Sequence, residues 1–307
     1  MRPRLLAAFA AVYTVWGSTY LAIRFAVETL PPLLMAGARF VLAGAILLTW
    51  ARIRGGHHWP SRRDWLTGFV TGALLLLGGN GAVVWAEQRV PSGIAALLVA
   101  IVPLWMVLLD WLRPGGRRPA SLVFVGLALG LAGLGLLVGP DALRGHGVVD
   151  VTGAGVLMVG SLSWAIGSLY TQRAPRPTSA NTGSGAQMLA GGLCLLAVGL
   201  ATGEGAQLDL AHASSRSLLG FAYLVTFGSL IGFTAYAYLL AHTTAAKAAT
   251  YAYVNPVVAV LLGWAFANEP VTARTLVAAA VILAGVAIIT VARDTRVRPR
   301  DEERAAA

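Results

Sequence analysis

The 307-residue chain is 57% hydrophobic and 12% charged, against about a quarter charged residues in an ordinary soluble domain. Stretches such as 66–84 and 122–138 leave a helix almost no polar face for water, so a soluble fold is excluded and the surplus apolar surface must meet lipid. The net charge of +10 sets 22 arginines and one lysine against 13 acidic residues, and nearly all of the basic ones lie in short segments between apolar runs, a topology pattern rather than a phosphate-binding patch, and no nucleic-acid partner is expected.

The chain opens on a basic segment and an apolar run that mimics a signal peptide, with Ala8-Phe9-Ala10 as an A-x-A match. That match falls too early to follow a full apolar region, and the run continues through Trp16 to Ala26, so it reads as an uncleaved first span. Runs of about 17 to 25 apolar residues, each long enough to cross the hydrocarbon core, follow at 32–50, 65–86, 92–112, 120–139, 152–172, 184–203, 215–240, 245–267 and 272–292, after a first at 5–25. Cys194, the only cysteine, lies inside a run; it allows no intramolecular disulfide and no multi-cysteine metal site, and reads as a packing residue. With the amino terminus inside, seventeen of the 23 basic residues fall in inner segments. The positive-inside rule then puts both termini in the cytoplasm.

The chain repeats itself. Gly68-Phe-Val-Thr-Gly72 lies over Gly220-Phe-Ala-Tyr-Leu224, Pro103 over Pro256, Trp111 over Trp264, and Trp16-Gly-Ser-Thr-Tyr20 over Trp164-Ala-Ile-Gly-Ser-Leu-Tyr170. Five spans per half make the second half enter from the opposite side. The expected fold class is therefore an all-α integral membrane protein of ten transmembrane helices, arranged as two five-helix inverted-topology repeats, 5–139 and 152–292. Residues 293–307 form a basic cytoplasmic tail suited to anionic headgroups of the inner leaflet. Such halves expose a midplane site to each side in turn.

The segments Trp16-Gly-Ser-Thr-Tyr-Leu-Ala-Ile-Arg24, Pro31-Pro-Leu-Leu-Met-Ala-Gly-Ala-Arg-Phe40, Val90-Pro-Ser-Gly-Ile-Ala-Ala-Leu-Leu98 and Tyr251-Ala-Tyr-Val-Asn-Pro-Val-Val-Ala-Val-Leu-Leu262 resemble the EamA family of the drug/metabolite transporter superfamily, bacterial inner-membrane exporters in particular. The resemblance spans 5–292. It implies two EamA repeats, transport of small metabolites, amino acids or drugs, often outward, and a central cavity lined by spans one, three, four, six, eight and nine. One departure stands out: the family often closes the fourth span with a Glu-containing turn. Asn268-Glu269-Pro270 keeps that pattern after the ninth span, but the fourth ends Asp110-Trp-Leu-Arg-Pro-Gly-Gly116.

Pro103 and Pro256 each remove a backbone donor inside a span and free the carbonyl four residues earlier, Val99 or Ala252. They are candidate hinges, or kinks satisfied by neighbours. Polar and aromatic side chains cluster near them: Trp16, Ser18, Tyr20, Asn80, Trp105, Trp164, Ser168, Tyr236, Tyr251, Tyr253 and Asn255 form the candidate substrate-binding set. Some of these aromatics serve instead as interfacial anchors, Trp85, Trp105 and Trp111 above all. Arg39, inside span two, is either an anion-recognising guanidinium or one half of a structural pair. Lys247 is a gate candidate or a snorkelling cation.

Every Asp and Glu falls at a span end or in a loop, and no His sits mid-span, so a carboxylate proton relay of the pump type is not expected. The GxxxG matches at Gly68–Gly72 and Gly126–Gly130 suit close packing within the chain or a dimer face, leaving a monomer or weak homodimer. No HExxH occurs, the five His are scattered, and the single lysine in Ala245-Ala-Lys-Ala248 excludes a Walker A loop. Gly183-Ser184-Gly185 has no base at membrane depth to activate it. No enzyme activity, cofactor or metal is expected; a gated channel or a non-transporting membrane protein is the alternative to a carrier. The substrate is a small molecule whose identity the residues leave open. Arginine in place of lysine, with abundant Ala and Gly, points to a GC-rich bacterial genome and hence the inner membrane.

Overall fold

The computed structural model describes residues 3–55, 59–114, 119–143, 149–175, 179–242 and 251–305. Helices begin where the sequence supplies a cap. Ser61 and Asp64 close a reciprocal capping box at the start of α3 (Arg62–Ala86), with Asp64 N to Ser61 Oγ at 3.1 Å and Ser61 N to Asp64 Oδ2 at 2.9 Å. Asp150 caps α6 (Val151–Arg173), Ser179 caps α7 (Ala180–Ala201) and Ser214 caps the first part of α8 (Ser215–Tyr223).

Two helices that start at prolines have no such local cap, and borrow a carboxylate from far along the chain. Glu204 accepts the N–H groups of Leu33 and Leu34 at 3.2 and 2.9 Å, at the head of α2 (Pro32–Gly55). Glu269 accepts those of Ser92 and Gly93 at 2.7 and 3.0 Å, at the head of α4, whose two parts are Ser92–Val99 and Val102–Leu112. Each carboxylate satisfies two orphan donors and complements the positive helix end. In the first half Asp110 meets Arg113 at 3.0 Å and Arg173 at 3.3 Å. It thus carries a different duty from Glu269, in line with the departure read in its turn.

All described secondary structure is helical. The first helix, α1 (Pro3–Ala26), contains a π-helical segment at Val12–Trp16; α5 runs Ser121–Leu143, α9 Tyr251–Ala267 and α10 Ala273–Ala305. Among the described residues, eight helices are long and apolar enough to cross a membrane, and Val254–Ala267 and Ala273–Ile289 are shorter apolar stretches. Leu42, Ile46, Trp50 and Ile53 form an exposed stripe along α2 at helical spacing. Such a face suits lipid rather than water.

Small residues let backbones touch. A Cβ on Gly37 of α2 would meet Gly192 O of α7 at 2.9 Å, and one on Gly192 would meet Gly37 O at the same distance. Gly126 of α5 and Gly285 of α10 stand in the same mutual relation at 2.6 Å. Gly68 and Gly72 press on Ala186, Gln187 and Gly191 of α7. Both GxxxG matches are therefore engaged within the chain. The best buried of the long helices is α4, 67% inside, whereas Ser215–Tyr236 is 28% inside; α4 packs among α1, α6, α9 and α10.

Glu204→Ala is expected to lower stability by about 1–3 kcal/mol, because two buried N–H groups of α2 lose their acceptor. The shift of the denaturant unfolding midpoint in micelles measures it.

Candidate functional site

The irregular helices converge. The π-helical segment of α1 ends at Trp16, and that of α3, Gly72–Asn80, ends at Asn80. The middle of α8 is π-helical over Leu224–Ile231 before the helix resumes at Gly232–His242. The two parts of α4 meet at Ala100 and Ile101, just before Pro103. Widened turns re-aim side chains and recur at functional sites. The irregular turns of α1, α3 and α4 border a cavity of about 120 Å³, and α8 reaches it through Phe233, just past its π-helical turn; the cavity is close in size to the roughly 150 Å³ that holds one benzene ring.

The wall draws on α1 through Trp16, Thr19 and Tyr20, on α2 through Arg39, and on α3 through Gly79 and Asn80. From α4 come Val99, Pro103 and Met106, from α6 Ser161 and Trp164, from α8 Phe233, and from α9 Tyr251, Ala252, Asn255 and Pro256. Both prolines and both residues whose carbonyls they free thus border one space. The breaks differ: α4 is interrupted at its proline, whereas α9 runs through Pro256 without a stop.

Of the residues singled out from sequence, Trp16, Tyr20, Arg39, Asn80, Pro103, Trp164, Tyr251, Asn255 and Pro256 lie on the wall. Trp16 is the hub of an aromatic cluster, its ring centroid 5.0 Å from Tyr236, 5.1 Å from Tyr251 and 5.4 Å from Phe233. Its Nε1 donates to Gly228 O at 3.3 Å, which ties α1 to the π-helical turn of α8. The Asn255 amide nitrogen, turned toward two carbonyls, donates to Tyr13 O and Tyr251 O at 3.2 Å each.

Four candidates lie off the wall. Tyr236 packs behind Trp16 and Tyr251. Ser18 donates to Val15 O at 2.8 Å and meets the Tyr223 hydroxyl at 2.6 Å. Ser168 donates to Trp164 O at 2.7 Å. Trp105 donates through Nε1 to Ser161 Oγ at 2.9 Å and so positions a wall residue from behind. Lys247 and the side chain of Tyr253 lie outside the described residues.

Sequence reasoning passed over Thr19 and Ser161, each three residues from a wall tryptophan and hence on the same helical face; that spacing was a usable signal. It also passed over Ser229, whose role depends on a partner from another helix. The Arg39 side chain is 2% exposed, its Nε donates to Ser229 Oγ at 2.8 Å, and its guanidinium carbon lies 4.6 Å from the Phe40 ring centroid. Nη1 has no hydrogen-bond partner, and no described carboxylate forms an ion pair with the group. Asn80 Oδ1 is likewise buried and unbonded on the same wall. Two wall residues thus hold a buried polar atom without a partner, a cationic donor on Arg39 and an acceptor on Asn80, beside an aromatic lining.

The EamA-like transporter family model matches residues 3–139 and again 151–291. The chain belongs to that family. Its members are transporters and not enzymes. The chain is 42% identical over 290 residues to the inner membrane transporter YedA of Escherichia coli, covering 94% of this chain and 91% of that protein. It is 28% identical over 281 residues to protein PecM of Dickeya dadantii, covering 90% and 88%. The transporter YvbV of Bacillus subtilis is 25% identical over 289 residues, covering 94% and 91%. A crystal structure 20% identical in sequence superposes with a TM-score of 0.64 over 94% of this chain and 97% of that one, which shows a shared fold.

Arg39→Met is expected to leave stability within about 1 kcal/mol of wild type, or to raise it, because it removes a desolvated charge that holds no carboxylate. A guanidinium belonging to a structural ion pair would cost about 3–5 kcal/mol on removal of one partner. Unfolding midpoints in detergent distinguish the two.

Proposed function

We propose that this chain is a secondary carrier that moves small carboxylate-bearing metabolites, amino acids among them, outward by alternating access around the cavity. The protein is a multi-pass protein of the bacterial inner membrane. Ten crossings in two five-helix halves of opposite orientation, with both termini cytoplasmic, form the frame for that motion. The separate family match to each half supports this frame. So does the glycine-to-glycine packing of α2 on α7 and of α5 on α10, each a pair of helices at corresponding places in the two halves.

The observation that carries the reading is the composition of the wall, built from both halves around Arg39. A buried guanidinium with a free donor is costly unless an anion meets it, and a carboxylate is the fitting acceptor. Trp16, Tyr20, Trp164 and Tyr251 suit a flat or apolar body beside that group. The volume favours a small metabolite over a drug-sized ligand, whose pockets run to roughly 300 Å³ or more.

Purified protein in liposomes, offered a panel of labelled carboxylates and amino acids, is expected to show saturable flux accelerated by the same solute on the far side. Arg39→Met and Trp16→Ala are each expected to cut kcat/KM for the transported solute about tenfold or more, a loss of about 1.4 kcal/mol. Flux that neither saturates nor counter-transports would instead mark a channel, and no flux of any solute would favour a non-transporting role.

A further inference from the structure

Most carboxylates at helix ends are engaged. Glu204 and Glu269 hold two backbone N–H groups each, Asp64 completes a capping box, Asp150 accepts from Gly153 N at 2.6 Å, and Glu28 meets Arg216 at 3.5 Å. Glu87 differs. It lies just beyond α3, is 0% exposed, and neither carboxyl oxygen has a hydrogen-bond partner.

Its position is set by the cavity. The Glu87 N–H donates to Val83 O at 3.0 Å, so Glu87 stands one helical turn beyond a wall residue. Arg24 stands one turn beyond the wall residue Tyr20, at the same end of the cavity, and its Nη1 donates to the backbone carbonyl of Glu87 at 3.0 Å rather than to the carboxylate. The charged and titratable groups that face Glu87 are Arg24 and Tyr20 from α1 and Glu269 from the turn after α9. Asp150, at the head of α6, is turned to its own cap, and Arg89 in the same turn lies over the Trp85 ring.

A carboxyl sealed from water with no donor to meet it is stable as the neutral acid; ionised, it needs water or a guanidinium. Burial, and next the neighbouring Glu269 carboxylate, push the Glu87 carboxyl well above the usual carboxylate range, against the opposing pull of Arg24. We propose that Glu87 is a proton-binding site that couples this carrier to the transmembrane proton gradient. The inference rests on the carrier reading and adds its coupling ion. A proton from outside water binds a carboxyl oxygen while that end of the cavity is open. It travels on Glu87 as the site closes and leaves to water entering the cavity from the inner side; the O–H bond alone forms and breaks. The sign follows from the closed site: protonation favours the conformation in which Glu87 is buried, and raising the pH through its elevated pKa favours one in which it meets water.

The test needs no known substrate. Met106, on the cavity wall, is replaced by cysteine in a Cys194→Ala background. The full chain in right-side-out and in inside-out membrane vesicles is then labelled with a membrane-impermeant methanethiosulfonate over about pH 5 to 8. Glu87→Gln carries the same cysteine and so corrects for the thiol's own titration. Relative to that variant, labelling of the Glu87 protein from the outer face is expected to rise about fivefold or more with pH. Glu87→Asp is expected to restore a pH dependence, and Glu87→Gln to unfold no earlier than the parent at neutral pH, since it mimics the neutral acid. A rise of labelling with pH in Glu87→Gln as steep as in the parent, or one-sided labelling in the parent that follows only the thiol's own titration, overturns the role of Glu87 alone. Equal labelling from both faces at every pH overturns the carrier reading and this proposal with it.

Discussion

Inside a bilayer no water is at hand to bond a loose backbone N–H or C=O, and the arrangement of this chain follows from that constraint. Helix ends that begin at serine or aspartate satisfy their own donors. The two that begin at Pro32 and after Pro91 have none of their own, and Glu204 and Glu269 reach them from the second half of the chain. Those contacts do more than cap. They bind α2 and α4 to segments about 170 residues away in sequence, so helix formation and assembly of the two halves depend on the same hydrogen bonds.

The same constraint places the irregular backbone. Widened turns in α1 and α3 and the break in α4 face the cavity, where neighbouring side chains and a solute can meet the groups they leave, and the widened turn of α8 bonds Trp16 and Arg39 behind it. The straighter pairs α2 on α7 and α5 on α10 pack glycine to glycine. Close backbone approach gives dispersion contacts that apolar lipid cannot supply as a driving force by itself. These pairs thus frame the site, while the irregular α1, α3 and α4 meet α6 and α9 around it, with Arg39 as the reach of a framing helix to the wall.

Among the described residues, Arg39 and Glu87 are buried ionisable groups with charge-bearing atoms that no hydrogen bond meets. Arg39 is permanently a donor and suits an anion delivered by the solute, while Glu87, one turn from the wall, is neutral by protonation. In a low-dielectric interior each is tolerable only through a partner that comes and goes. A carrier needs such groups: a site fully satisfied when empty has nothing left to recognise its cargo.

The membrane class, the run of apolar helices and the family were legible in the sequence, because surplus apolar surface and capping residues act locally and need no knowledge of neighbours. Trp16, Asn80, Asn255 and both prolines were legible as wall candidates, since polar or helix-breaking residues inside an apolar run must be accounted for. Ser18, Ser168 and Tyr236 carry the same sequence signal yet bond or pack elsewhere, because a helix face gains its meaning from the helix opposite. Glu87 looked like an ordinary span-end carboxylate, and Arg39 allowed two readings. The sequence by itself determined that the chain must live in lipid and where its helices start, through hydrophobicity and local hydrogen bonding. Only the tertiary structure decided which charges are left unpaired and which faces meet around the cavity, because burial and pairing are properties of neighbours that the chain brings together from distant positions.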